Sequence, residues 1–418
     1  MRLPTLWLRF AGIGATGIAV IACATSASAV GVPQARPLLK GTHSSRAQSA
    51  RPPAQPRTSV PAQPSAQPQQ PAQLRVTTQP RLSAAQRAGQ RVIYSYAGLN
   101  PPGRLLWLIR HGQAAGVIFF GANISSEAQI AGVIRQFEAA DAARTNPVHA
   151  PLLLMTDQEG GLVTRLPGRP FLSEKQIGAA RNPGAAATTA GQGAAANLLG
   201  VGMNVNLAPV LDVYRQAGDF DDQFQRSYSK NPRVVSRLGA DFIRAQQKGR
   251  VAATAKHFPG LGAAGKNQDT DAVPVTLNVS LASLHNTDEF PYQAAIGAGV
   301  KLVMASWAVY PALDRSRPAG LSSHIIQGQL RTRLGFKGVT ITDAIEAGAL
   351  RSFGSISNRA ELAAGAGMDL ILCAAQNVAE GVNCRNGLQS GYASGKLNHA
   401  AYQAALTRVL KLRAGLPK

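Results

Sequence analysis

The chain has 418 residues with 42 glycines, 26 prolines and a formal net charge of +22. Eight of its 43 lysines and arginines lie in residues 1–80, a segment without aspartate or glutamate. Apolar residues make up 45% of the sequence, which is enough to build a large core. A basic charge attracts polyanions only loosely, and no basic motif with interleaved aromatic residues is present. The composition therefore argues against nucleic-acid binding.

The first 29 residues have the pattern of an export signal. A positively charged start precedes an apolar stretch at 11–22, and the small residues Ala-Ser-Ala at 27–29 form a cleavage site. The apolar stretch is too short to cross a bilayer as a helix, so we expect no transmembrane helix in the mature chain. The alternative is a lipoprotein signal, Val-Ile-Ala-Cys at 20–23, in which Cys23 would carry lipid. Both interpretations predict a protein of the cell envelope or the extracellular space.

Residues 30–80 differ in composition from the rest of the chain. They hold ten of the 26 prolines together with many glutamines and alanines, and they lack aliphatic periodicity. Such a segment cannot bury enough apolar surface to offset the entropy that its chain would lose on folding. We predict a disordered linker here, followed by one catalytic domain over residues 81–418.

Within residues 81–418, short apolar runs alternate with alanine-rich stretches of helical spacing, such as Ala186–Leu199, Val234–Lys248 and Ile356–Gly367. Continuously apolar strands that alternate with helices are typical of a parallel sheet covered on both faces. The predicted strands are Arg91–Tyr96, Gly116–Phe120, Leu152–Asp157, Met203–Ala208, Val251–Lys256, Lys301–Ser306, Gly338–Asp343 and Asp369–Cys373. Eight such units predict an α/β fold, the (β/α)8 TIM barrel.

Polar residues collect at the carboxyl ends of these predicted strands, which form the catalytic face of such a barrel. They are Asp157, Asn206, Lys256, His257, Ser306 and Asp343. A scatter of polar residues unrelated to function would not favour one end of the barrel. This placement predicts an enzyme.

Several of these side chains suit a sugar ring. Asp157 is an acceptor for paired hydroxyls, although it could instead cap a helix. Lys256 and His257 end the fifth strand, where both can reach the barrel mouth as hydroxyl donors. Arg226 is a further donor, which could equally form a surface ion pair. Asp343 is a carboxylate at the tip of a buried strand, as attack on an anomeric carbon requires, with a helix cap as the alternative.

Five strings in this order resemble glycoside hydrolase family 3, and within it the β-N-acetylglucosaminidase branch. They are GVIFFG at 116–121, DQEGG at 157–161, NLAPVLDV at 206–213, KHFPG at 256–260 and LGFKGV at 334–339, the last leading to Asp343. The resemblance implies a retaining mechanism with Asp343 as nucleophile. It also implies that Asp157, Arg226, Lys256 and His257 grip the sugar at the cleaved end.

The resemblance further implies a carbohydrate substrate carrying N-acetylhexosamine, such as a peptidoglycan fragment of the bacterial cell wall. A glycosidase of this kind needs no cofactor, and the seven scattered histidines show no metal-binding spacing. We expect a monomer. Two alternatives remain: a β-glucosidase of the same family, and a weakly active or inactive sugar-binding protein of the cell wall.

One loop departs from the family pattern. In the acetylglucosaminidase branch an Asp-Ser-His sequence supplies the general acid/base, whereas this chain has Asp269-Thr270-Asp271 and lacks that histidine. The leaving oxygen still needs a proton, so Asp271, or failing that Asp269, is the candidate acid/base. Its pKa would have to be raised by Asp343 and by a dry loop. The alternative is that both aspartates only fix a flexible loop.

Two cysteines remain after the signal, Cys373 and Cys384. An even number of cysteines in an oxidising compartment predicts a disulfide bond between them. The alternative is a pair of unrelated buried thiols.

Overall fold

The computed structural model describes residues 82–417, and the predicted signal and linker lie outside the described residues. The structure confirms the predicted barrel. Eight parallel strands close on themselves in the order β1-β8-β7-β6-β5-β4-β3-β2. They are β1 (Val92–Tyr94), β2 (Gly116–Ile118), β3 (Leu153–Thr156), β4 (Val205–Asn206), β5 (Ala252–Phe258), β6 (Leu302–Ala305), β7 (Val339–Ala344) and β8 (Leu370–Leu372). Each lies within or overlaps a predicted strand.

One helix precedes β1, and the others lie between the strands and after the last one. The α-helices are Ala84–Gly89, Gly103–Arg110, Glu127–Asp141, Glu174–Gly178, Pro183–Gly200, Phe220–Gln223, Pro232–Lys248, Leu281–Ser283, Phe290–Gly297, Ile356–Ala366, Val378–Ala393 and His399–Ala414. Short 3-10 segments cover Gly121–Asn123, Ala319–Leu321 and Gly348–Phe353, and π-helical segments cover Leu284–Asp288 and His324–Arg333. None of the helices between residues 82 and 417 combines the length and hydropathy that a membrane-spanning segment needs.

Local sequence sets the helix ends. The helices at 183–200 and 232–248 each begin with a proline after an asparagine, and the asparagine side chain accepts a main-chain N–H of the first turn. Proline suits that position because its missing N–H would have no partner there. The helix at 356–366 ends at Gly367, whose φ of 109° is accessible mainly to glycine. The three predicted helices therefore occur, with ends that agree or differ by at most three residues.

The packing of the barrel excludes water from its strands. Every residue of β1, β2 and β3 is buried, and so is every residue of β5. Outside the barrel, a Cβ on Gly191 would lie 2.4 Å from the Phe242 carbonyl oxygen, so this glycine allows two helices to pack closely. Two antiparallel hairpins, Gln158–Gly160 with Val163–Thr164 and Val309–Tyr310 with Asp314–Pro318, extend from the carboxyl ends of β3 and β6. The rigid strands thus carry the loops of the catalytic face.

Candidate active site

Lys256, near the end of β5, lies at the centre of a buried ion-pair network. Its Nζ is 2.8 Å from Asp157 Oδ1 and 2.7 Å from Glu159 Oε1. Burial alone would lower the pKa of Lys256, but the two carboxylates more than offset this and raise it. The ammonium group therefore stays charged inside the protein.

Arg226 extends this network from the loop after β4. Its guanidinium binds Glu159 through two parallel hydrogen bonds of 2.9 Å, and its Nη1 is 3.0 Å from Asp221 Oδ1. Burial would raise the pKa of Glu159, but Arg226 and Lys256 hold it below its ordinary value. Glu159 is therefore an ionised carboxylate that fixes both cations, a geometry that bidentate arginine pairs favour.

Asn206 fixes the segment that follows β3 and carries Asp157 and Glu159. The Asn206 side chain accepts the Gln158 N–H and donates to the Gln158 carbonyl, both at 2.9 Å. Ser306, another polar strand-tip residue, hydrogen-bonds the Tyr310 hydroxyl at 2.9 Å. Both side chains are buried and bonded to other protein groups, so these two residues support the loops that carry the site.

His257 is oriented by Asp212, which lies on the loop after β4. The His257 Nδ1 is 2.7 Å from Asp212 Oδ2, and the Leu261 N–H donates to the same carboxylate at 2.6 Å. Burial, and then the charge of Arg226, lower the pKa of His257 to about 4, so the ring is neutral. Nδ1 donates to Asp212, which leaves Nε2 as an acceptor, 3.4 Å from Arg226 Nη2. The substrate-binding role expected of His257 from the sequence stays a prediction.

Asp212, Asp221 and His257 form the one set of three potential metal ligands within residues 82–417, with donor atoms inside 4.8 Å. Most of those donors are already used, because Asp212 binds His257 and Asp221 Oδ1 binds Arg226, whereas Asp221 Oδ2 has no hydrogen-bond partner. Burial raises the pKa of Asp212 to about 6, and burial followed by the charge of Asp212 raises that of Asp221 to about 7. Arg226 adds a positive charge 3.0 Å from Asp221. This set fits a hydrogen-bond network better than a cation.

Asp343 and Asp271 supply the two remaining carboxyls of the site. Asp343, on β7, is half-buried, and its Oδ1 accepts the Ala344 N–H at 2.8 Å. Asp271 is also half-buried, but its Oδ1 is shielded from solvent and has no hydrogen-bond partner. Burial, and then the negative charge of Asp343, raise the pKa of Asp271 well above its ordinary value. The negative charge of Asp343 thus favours the protonated form of the Asp271 carboxyl.

The structure brings most of the predicted site residues together. Asp343 interacts electrostatically with His257, and Asp271 interacts with Arg226, Asp157 and Asp343. Asp269 lies in the same loop as Asp271, and its Oδ1 accepts the Asp271 N–H at 2.9 Å.

The sequence reasoning missed three buried carboxylates that hold these groups, Glu159, Asp212 and Asp221. Glu159 and Asp212 each lie inside one of the five strings that resemble the family, but the sequence alone assigned no role to either residue. Asp221 stands five residues before Arg226, in the short helix Phe220–Gln223.

Cys373 and Cys384 are both buried, and their Sγ atoms lie 3.0 Å apart. A disulfide bond requires about 2.05 Å between sulfurs. In this structure they are two thiols in contact, so the disulfide stays a prediction. Their contact argues against two unrelated thiols.

The chain is similar in sequence to known glycoside hydrolases. The profile described as "Glycosyl hydrolase family 3 N terminal domain" matches residues 98–412. A protein of Arthroderma benhamiae, named as an uncharacterized secreted glycosyl hydrolase, is 44% identical over 335 residues, 80% of this chain and 94% of that protein. A β-hexosaminidase of Nitrosomonas eutropha is 34% identical over 275 residues, 63% of this chain and 74% of that enzyme.

Solved structures agree with these relatives. The family 3 β-N-acetylglucosaminidase of Paenibacillus sp. has a TM-score of 0.75 and 32% identity, with 80% of this chain matched to 62% of that chain. The β-N-acetylhexosaminidase of Beutenbergia cavernae has a TM-score of 0.71 and 30% identity, with 79% of this chain matched to 98% of that chain. The chain thus spans less than two thirds of the Paenibacillus protein but nearly all of the Beutenbergia one.

Proposed function

The chain belongs to glycoside hydrolase family 3 and is a glycoside hydrolase, and from this premise we propose that it is a retaining β-N-acetylhexosaminidase. In this proposal Asp343 is the nucleophile and Asp271 the general acid/base. The observation that carries the proposal is the pair of interacting, half-buried carboxyls on the catalytic face, of which Asp271 has its pKa raised by burial and by Asp343. Retaining glycosidases need two such groups about 5–5.5 Å apart.

In the first step, the Asp343 carboxylate attacks the anomeric carbon while the bond from that carbon to the leaving oxygen breaks. Asp271 gives its proton to that oxygen, which leaves as an alcohol, and the sugar stays bound to Asp343 as an ester. In the second step, the Asp271 carboxylate takes a proton from water as the water attacks the anomeric carbon. The ester bond breaks, Asp343 is regenerated as a carboxylate and Asp271 is protonated again.

The ion-pair network holds the sugar in the proposal. Asp157 Oδ1 is bound to Lys256, while Oδ2 has no hydrogen-bond partner and only a 3.8 Å approach from Arg165 Nε. This oxygen would accept a sugar hydroxyl, and the Lys256 and Arg226 N–H groups would donate to neighbouring hydroxyls. Because these groups already bind one another, little ordering is needed when the substrate binds.

The names of two relatives, a β-hexosaminidase and a β-N-acetylglucosaminidase, support N-acetylhexosamine as the sugar released. Peptidoglycan or a related glycan is the proposed source of that sugar. The predicted export signal and a relative named as secreted support action outside the cytoplasm, and the bacterial cell wall is the place of action that we propose. Whether the chain is freely secreted or anchored through Cys23 would be read from the mass of its mature amino terminus.

The test compares hydrolysis of nitrophenyl N-acetylglucosaminide and nitrophenyl glucoside by wild type and Asp343→Asn. We expect preference for the acetylated sugar and loss of nearly all activity in Asp343→Asn. The matched control is Asp241→Asn, which removes a partly exposed carboxylate paired with Arg244 on a helix and should leave the rate unchanged. Preference for the glucoside would favour the β-glucosidase, and sugar binding without hydrolysis would favour the inactive binding protein.

A further inference from the structure

The segment after the nucleophile strand binds the backbone of the loop that carries Asp271. The Gly348 N–H donates to the Asp271 carbonyl at 2.7 Å, and the Ala349 N–H donates to the Thr270 carbonyl at 3.1 Å. Gly348 and Ala349 begin a 3-10 segment, where the first N–H groups have no partner inside the helix. Those donors are therefore free to hold another chain segment.

The contact between these two segments is too close for a side chain. A Cβ on Gly348 would lie 2.0 Å from the Ala272 carbonyl oxygen and 3.0 Å from the Asp271 carbonyl oxygen. Both neighbours are main-chain atoms, which cannot move aside by a change of rotamer. A glycine is required at position 348 so that the loop can come this near.

The start of the same loop is held separately. The Phe220 N–H donates to the Ala264 carbonyl at 2.9 Å, and Gln223 Nε2 donates to the Lys266 carbonyl at 2.8 Å. Those bonds lie five or more residues before Asp271. The bonds from Gly348 and Ala349 thus act on the end of the loop that carries the acid.

We propose that Gly348 and Ala349 are positioning residues, which fix the distance between the Asp271 and Asp343 carboxyls by joining their two segments through the backbone. The inference rests on the proposed roles of Asp271 and Asp343. It explains how a loop without the histidine of the family pattern presents its carboxyl. The loop is held by main-chain N–H groups that follow β7 closely in the chain, so Asp271 needs no side-chain partner to keep its position.

The proposal predicts different losses of rate on two kinds of substrate. A sugar with a dinitrophenolate leaving group needs almost no protonation, whereas a disaccharide such as diacetylchitobiose must have its leaving oxygen protonated. Displacing Asp271 should therefore slow glycosylation of the disaccharide and spare that of the dinitrophenyl sugar. A general loss of structure would lower both rates equally.

The test measures kcat/KM on both substrates for wild type, Gly348→Ala, Ala349→Pro and Asp271→Ala. Gly348→Ala forces the loop away, and Ala349→Pro removes one N–H donor and places its ring against the Thr270 carbonyl, in a first helical turn that tolerates proline. The control is Gly132→Ala, in a helix where the nearest atom to the new Cβ is an arginine tip at 3.7 Å. Thermal unfolding checks that each variant is folded.

We expect the two loop variants to lose about 10- to 100-fold in kcat/KM on the disaccharide and less than about threefold on the dinitrophenyl sugar. Asp271→Ala should show the same split more strongly, and Gly132→Ala should match wild type. Folded loop variants with unchanged rates, or with equal losses on both substrates, would overturn the inference alone. A wild type that cleaves neither substrate would overturn the proposed function, and the inference with it.

Discussion

Replacing Lys256 by methionine tests the buried ion-pair network directly. The change keeps the aliphatic stem but removes the Nζ that lies 2.8 Å from Asp157 and 2.7 Å from Glu159. Removing one partner from a buried pair costs about 3–5 kcal/mol, because the other charge stays buried and uncompensated. Glu159 keeps its two hydrogen bonds to Arg226, whereas Asp157 keeps only Arg165 at 3.8 Å. We therefore expect a loss near the lower limit, about 3 kcal/mol in the free energy of unfolding.

The assay is urea unfolding of wild type and Lys256→Met at pH 7 and below pH 4.5, with the exposed Lys248→Met as control. The pKa of Glu159 in the folded protein lies below its ordinary value of 4.5. Its contribution is therefore complete above pH 4.5 and is lost as the pH falls below that value. The difference between wild type and variant should be largest at pH 7 and shrink in acid.

A difference below about 1 kcal/mol at pH 7 would refute this reasoning, since it would equal that of an exposed pair. A difference in the free energy of unfolding that stays the same at pH 7 and below pH 4.5 would also refute it. Adding Glu159→Gln to the variant offers a further check, because it removes a second buried charge. The double variant should lose less than the sum of the two single variants.

Three further outcomes are expected. Asp271→Ala should lower kcat/KM for substrates with poor leaving groups by about 10²–10⁴-fold, and azide should raise its kcat on a dinitrophenyl sugar by attacking the accumulated glycosyl-enzyme; an unaltered kcat/KM without azide rescue would contradict its role. Because burial and Asp343 raise the pKa of Asp271, wild-type kcat/KM should fall as the pH rises through that pKa, and Asp271→Ala should lack this basic limb. Cys373 and Cys384 should give no free thiol on denaturation of the secreted protein and two after reduction; two free thiols at the outset would exclude the disulfide.

The fold could be predicted because each barrel strand is an apolar run bounded by turn residues. Burial on both faces leaves little choice of residue in β1, β2 or β3, so the pattern is visible in one sequence. The ends of elements were less predictable because they depend on caps. The helix predicted from Ala186 starts at Pro183, where the Asn182 side chain accepts the Ala185 N–H.

The polar strand tips could be predicted for the same reason, since Asp157, Lys256 and Asp343 directly follow apolar runs. Their partners could not, because they arrive from loops by long-range contacts. Asp212 reaches His257 across 45 residues, and Arg226 reaches Glu159 across 67. No local periodicity encodes such a pair, so the neutral state of His257 also needed the structure.

The most direct test of the account is to trap the covalent intermediate. A 5-fluoro N-acetylglucosaminyl fluoride forms the glycosyl-enzyme quickly and releases it slowly, so the labelled peptide can be identified by mass spectrometry. We predict one sugar per chain, on the peptide that contains Asp343, with loss of activity in step with labelling. An active enzyme that is labelled on another residue, or that releases product of inverted configuration, would contradict the account.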